Sequence, residues 1–251
     1  MRGKEMEWGL LLLLAASCAA GFVQGVTGFG GSILLMIFLP GLYGVKMAPV
    51  ISDLIVLTML GLMAWRHRRA VRPLSVLWPT AIYLLASSWA IELARSAQNL
   101  AWLQMAFGSF LVGMAAYLMW LAPNLHLKQS LWVSLFCGAF SGVTGGLFGI
   151  GGPLMALYFL TVSRDREEYL ANNCLCLVLT VLGNNVLRIS GGMMTAALLL
   201  PVGVGTVASV AGWLWGEKAA SRIDGAALKR SIYLLMAFGG AVTLIKAVVA
   251  L

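Results

Sequence analysis

The chain is a succession of long apolar blocks parted by short polar joints: 8–39, 47–65, 73–91, 99–121, 131–160, 169–187, 193–216 and 232–251. A helix of about 20 apolar residues crosses a bilayer core roughly 30 Å thick. The pattern therefore predicts an all-α polytopic membrane protein with no room for a separate soluble domain. Two blocks, 8–39 and 131–160, are too long for one crossing, since roughly 30 residues make about 45 Å of helix. Something must break each of them.

The breaks are legible as a repeat. Gly25-Val26-Thr27-Gly28-Phe29-Gly30-Gly31-Ser32 aligns with Gly146-Leu147-Phe148-Gly149-Ile150-Gly151-Gly152-Pro153 at a constant offset of 121, and Gly21 pairs with Gly142 in the same register. Further on, Ala48 pairs with Ala171, Asp53 with Cys176, Gly61 with Asn184 and Trp65 with Arg188. The chain thus reads as two homologous halves, 1–125 and 126–251. Glycine costs about 1 kcal/mol relative to alanine inside a helix, so clustered glycines predict two half-helices joined by a turn within the membrane.

Loop charge decides how the halves are oriented. Arg66, Arg68, Arg69 and Arg72 share one joint, and Lys218, Arg222, Lys229 and Arg230 share another. If each long block were a full span, these joints would lie on opposite sides, against the positive-inside rule. If each block enters and leaves on one side, every half has a re-entrant hairpin plus three crossings, the repeats are inverted, and both basic joints are cytoplasmic. This topology places the termini and Lys46 outside.

Composition narrows the function classes. With 61% hydrophobic and 10% charged residues, the chain cannot present a water-facing surface throughout. The net charge of +8 reads as a topology signal, not as a nucleic-acid footprint. Cys18, Cys137, Cys174 and Cys176 fall in apolar blocks without metal or disulfide spacing, and His67 and His126 lie beside joint charges. The basic, leucine-rich start through Ala20 resembles a signal peptide, but its block continues to Leu39 and has a mid-chain counterpart. An intramembrane enzyme would need paired acids, a nucleophile with its base, or metal ligands in the spans. The spans show none, no cofactor is expected, and the oligomeric state stays open between monomer and homodimer.

Non-helical backbone at membrane depth is tolerated only where protein or a cavity surrounds it, so the two glycine turns mark the expected functional centre. Half-helix N-termini at Gly31-Ser32 and Gly152-Pro153 would offer N–H groups to an anion. The candidate binding set is Gln24, Thr27, Gly28, Phe29, Gly30, Gly31, Ser32, Thr144, Phe148, Gly149, Gly151, Gly152, Asn173, Asn185 and Arg188. Phe29 and Phe148 would gate the tips or fill space. Arg188 would attract an anion or anchor its helix at the headgroups, and Asp53 would carry protons or reach the interface. A competing reading makes Gly21, Gly25, Gly138 and Gly142 close-packing pairs. Glu92 and Lys246, near span ends, would snorkel.

At these residues the chain resembles the sulfite exporter TauE/SafE (TSUP) family of membrane permeases. The resemblance rests on the two halves, the paired motifs at 25–31 and 146–152, and the Asn185 to Arg188 ending; Ser32 stands where members often carry a further glycine. It implies a multi-pass transporter of the bacterial cytoplasmic membrane for sulfur-containing anions such as sulfite or sulfoacetate. Export would be downhill without a coupling ion, since about 2.3 kcal/mol per charge is available at 100 mV. Proton-coupled uptake through Asp53, and a scaffold without cargo, are the alternatives.

Overall fold

A computed structural model describes residues 2–97, 100–121, 130–193, 198–223 and 225–249. The expected boundary between halves at 125 and 126, with His126, lies outside the described residues. The described helices are α1 (Arg2–Thr27), α2 (Gly31–Tyr43), α3 (Ala48–Arg66), α4 (Pro73–Ser96) and α5 (Leu100–Ala116), the last closing in a π-helical turn at Tyr117–Leu121. Then come α6 (Leu131–Phe148), α7 (Gly152–Val162), α8 (Arg166–Ser190), α9 (Leu199–Ala219) and α10 (Gly225–Val249). Eight of them are long and apolar enough to cross a membrane, so the chain is an all-α polytopic membrane protein.

Local chemistry sets the helix limits. Pro73 and Pro153 occupy first-turn positions, where a missing N–H costs no intrahelical bond. The Asp165 carboxylate caps α8 by accepting from the Glu168 N–H at 2.8 Å. The two long apolar blocks break at their glycines. Gly28 and Gly30 have φ of 80° and 97°, and Gly149 has φ of 67°, left-handed conformations that side-chain-bearing residues rarely adopt.

The arms of each break are unequal. The apolar part of α1, Trp8–Thr27, has 20 residues and α6 has 18, each enough for a crossing, while α2 and α7 have 13 and 11. The break sits a full span into each block rather than at its centre.

The main packing joins one half of the chain to the other: α1 lies on α9, α6 on α4, α3 on α8 and α5 on α10. Exchanging the halves maps this set of pairs onto itself. Glycines bring the first two pairs to backbone contact. A Cβ on Gly25 would stand 2.7 Å from the Trp213 carbonyl oxygen, and one on Gly138 would stand 2.9 Å from that of Pro79. Gly21, beside Ser209, precedes Gly25, beside Glu217, so α1 and α9 run parallel. Gly138 beside Pro79, followed by Gly146 beside Ser87, gives the same sense to α6 and α4.

Two ion pairs tie helix ends together at one end of the bundle. Arg66 meets Glu217 at 3.1 Å and Arg72 meets Glu168 at 3.1 Å. The joint holding Arg66 to Arg72 therefore lies beside the α9 to α10 joint that holds Lys218 and Arg222.

Candidate functional site

The first glycine turn is held by its own polar groups. Gln24, one turn before the end of α1, donates from Nε2 to the Gly28 carbonyl at 3.0 Å and accepts from the Gly31 N–H at 3.0 Å. Its amide thus bridges the two sides of the break and satisfies one of the orphan donors at the start of α2. The Asn173 Nδ2 of α8 donates to the same Gly28 carbonyl at 3.0 Å. Thr27 donates to the Val23 carbonyl at 2.9 Å and accepts from the Phe29 N–H at 3.3 Å.

The second turn is shaped around a tyrosine from α4. The Tyr83 ring fills the space where Gly145 and Gly151 lack side chains; a Cβ on Gly151 would stand 2.5 Å from Tyr83 Cε2. Thr144 donates to the carbonyls of Phe140 and Ser141 within its own helix, at 3.1 and 3.3 Å. Phe148 stacks with Phe110 at 5.2 Å between ring centroids and tilts against Phe107 at 5.4 Å, so it fills core space.

Between the turns lies a cavity of about 30 Å³. Gln24, Gly30 and Ser32 line it from the first motif, and Gly149, Gly151 and Gly152 from the second, with Asp53, Tyr83 and Thr180 completing its polar wall. One water occupies about 30 Å³ of liquid, so the walls are closed too tightly for a multi-atom anion. Among the described residues Asp53 is the one charged residue in the lining.

Asp53 does not stand alone. Arg188, near the end of α8, donates from Nη1 to its Oδ2, and both residues are 2% exposed. The Arg188 Nη2 also donates to the carbonyls of Gly145 and Gly146 at 2.9 and 3.0 Å. Those carbonyls end the last turn of α6, where a cation opposes the negative end of the helix dipole. The guanidinium therefore joins α3, α6 and α8 beside the second turn. It is buried in protein, and its charge is met by Asp53.

Several buried polar atoms next to these groups have no partner among the described residues: Ser52 Oγ, Ser141 Oγ, Asn184 Oδ1 and both side-chain atoms of Asn185. Asn184 Nδ2 reaches the Tyr83 hydroxyl at 3.5 Å. Desolvated polar atoms without partners are costly, on the order of 1–3 kcal/mol each. A polar guest or waters would satisfy them.

The expected set thus divides. Gln24, Gly30, Ser32, Gly149, Gly151, Gly152 and Asp53 share the cavity. Gly28, Gly31, Thr27 and Asn173 hold the first turn, Arg188 holds the second, and Thr144 and Phe148 pack. Phe29 faces a different cavity, with its ring 5.3 Å from Lys229 Nζ. Sequence reasoning missed Tyr83 and Thr180, ordinary members of apolar blocks, and it missed the pairing of Asp53 with Arg188. The unusual glycine at 145 was the one available sign that a bulky side chain approaches there. Among the described residues no group of three or more His, Cys, Asp and Glu side chains gathers as a metal site.

Comparison with known proteins places this geometry in a family. No solved structure matches the chain. A probable membrane transporter protein of Methanocaldococcus jannaschii is 26% identical over 182 residues, covering 64% of this chain and 66% of that protein. The aligned part is slightly under two thirds of that relative's length. The model of the sulfite exporter TauE/SafE family matches residues 13–243, a span that contains both glycine turns, Asp53 and Arg188. The chain belongs to the sulfite exporter TauE/SafE family of multi-pass membrane proteins.

Proposed function

We propose that the protein carries a small sulfur-containing anion, such as sulfite or sulfoacetate, across the bacterial cytoplasmic membrane by alternating access through the cavity between its two glycine turns. The observation that carries this reading is the convergence of both turns and the buried Asp53 on one closed cavity. The family description and the name of the archaeal relative agree with transport. The first turns of α2 and α7 offer backbone N–H groups and helix dipoles to an anion. Separation of Arg188 from Asp53 would add a full positive charge beside the second turn.

Inverted repeats, 1–125 and 126–251, each with a re-entrant pair of arms, are supported by the symmetric set of helix pairs and by the meeting of both basic joints at one end. The repeats are interleaved, however, because α1 lies on α9 and α6 on α4. Rocking one sequence half against the other would tear glycine-lined backbone contacts. The moving bodies are then α1, α2, α3 and α9 against α4, α6, α7 and α8, with the seam along α3 and α8.

Two energetic schemes follow. In the first, the anion leaves a negative cytoplasm down the potential without a coupling ion. The second is favoured by Asp53 as the one charge in the cavity wall: an anion would enter with a proton on Asp53, which frees Arg188 for the anion. Flux of labelled sulfite into proteoliposomes, with potential and pH gradients imposed separately, tests both. Flux driven by potential alone supports the first scheme, and accumulation driven by a pH gradient and abolished by Asp53→Asn supports the second. Flux no greater than in empty liposomes for sulfite, sulfoacetate and thiosulfate would overturn the proposal and leave the scaffold reading.

A further inference from the structure

Beside the first turn a second cavity of about 360 Å³ lies among α7, α10 and the π-helical turn. Lys229, Arg230 and Tyr233 reach it from the early turns of α10, and leucine and methionine side chains form the rest of its wall with Phe29 and Pro153. Among the described residues no carboxylate lines it and neither cation belongs to an ion pair. Lys229 is half-buried, and its ammonium lies 5.3 Å from the centroid of the Phe29 ring. A cation over an aromatic face is weakly held compared with one on an anion, and the positive end of the α10 dipole adds to the field.

The partition from the central cavity is thin. Phe29 stands between the two left-handed glycines of the first turn, with Gly30 lining the central cavity and Phe29 this one. Pro153 lines both. A group bound to Lys229 therefore touches the side chain on which the first turn closes.

We propose that this chamber is an anion-binding site for an oxyanion or sulfonate head, with Lys229 and Arg230 as its ligands and the apolar wall receiving a short carbon chain. The proposal rests on the transport reading only for the anion's role as cargo waiting behind Phe29. An anion on Lys229 draws the ammonium off the Phe29 ring and loosens the partition. The same chemistry would also hold an anionic lipid headgroup entering from the bilayer.

The test uses the full-length protein purified in neutral detergent, with sulfoacetate as one probe. Vesicles of phosphatidylcholine with and without phosphatidylglycerol are the other. Binding is read as a rise in melting temperature, which follows occupancy whether or not flux occurs. Sulfoacetate affinity is expected to fall roughly tenfold in K229Q, the loss of one charged hydrogen bond. It should recover in K229R and weaken with salt in the wild type. If phosphatidylglycerol, but not sulfoacetate, stabilises the protein in a Lys229-dependent way, the site stands with lipid as its anion. If K229Q and R230Q respond to both probes as the wild type does, the proposal is overturned. Lys229-dependent binding without flux of sulfite, sulfoacetate or thiosulfate would keep the site and discard the transport reading.

Discussion

Replacing either member of the Asp53 and Arg188 pair offers a quantitative test of how the second turn is held. Asp53→Asn leaves the Arg188 charge buried against the Gly145 and Gly146 carbonyls alone, and Arg188→Gln strips those carbonyls as well as Asp53. Removing one partner of a buried pair costs about 3–5 kcal/mol. The Gly145 carbonyl keeps the Gly149 N–H at 2.9 Å, but the Gly146 carbonyl left dry adds about 1–3 kcal/mol, which makes Arg188→Gln the more damaging change. The double variant, Asp53→Asn with Arg188→Gln, places two neutral amides where the charges were. It should cost less than the sum of the singles by at least about 2 kcal/mol, well beyond the 0.5 kcal/mol typical of independent sites. Unfolding in mixed detergent and sodium dodecyl sulfate, followed by tryptophan fluorescence, gives all three values. Additive costs, or singles within about 0.5 kcal/mol of wild type, would show that the pair does not hold α3, α6 and α8 together.

Other substitutions separate the roles of the glycines and of Gln24. Gly142→Ala sets a Cβ 2.8 Å from that of Ala86 and against the Tyr83 carbonyl, so the α4 to α6 seam must open; the same unfolding assay should register a loss of about 1–3 kcal/mol. Gly113→Ala on α5 meets nothing within 4 Å and should stabilise the protein by about 0.5–1 kcal/mol. Gln24→Leu removes the bridge between Gly28 and Gly31. It should abolish sulfite flux while costing only about 1–3 kcal/mol, because Asn173 still holds the Gly28 carbonyl.

The breaks were legible because their cause is local. Glycine clusters repeated at one offset predicted interruptions at 28–31 and 149–152, and the left-handed angles at Gly28, Gly30 and Gly149 occur there. Arm length was not legible, because the length of an apolar block limits what spans a bilayer without saying where within the block a span ends. The glycines also divide by role in a way the motif hides: Gly21, Gly25, Gly138 and Gly142 admit a neighbouring helix, as the close-packing reading expected, and Gly28, Gly30 and Gly149 turn the chain. Asp53 and Arg188 were each singled out as charges within the apolar blocks, but they lie 135 residues apart and nothing in one sequence couples them. Tyr83 escaped notice for a similar reason: its hydroxyl matters only through α6, which the packing of α4 brings to it.

The central claim, that an anion passes through the cavity between the turns, is tested most directly by filling that cavity without disturbing its walls. Gly152 lines it, and a Cβ there would have as its nearest neighbour Leu177 Cδ2 at 3.8 Å, an ordinary contact. Gly152→Ala should therefore melt close to the wild type while its methyl group occupies the space an anion needs. Labelled sulfite flux in proteoliposomes is predicted to fall to the level of empty liposomes. A well-folded Gly152→Ala protein with wild-type flux would contradict the account.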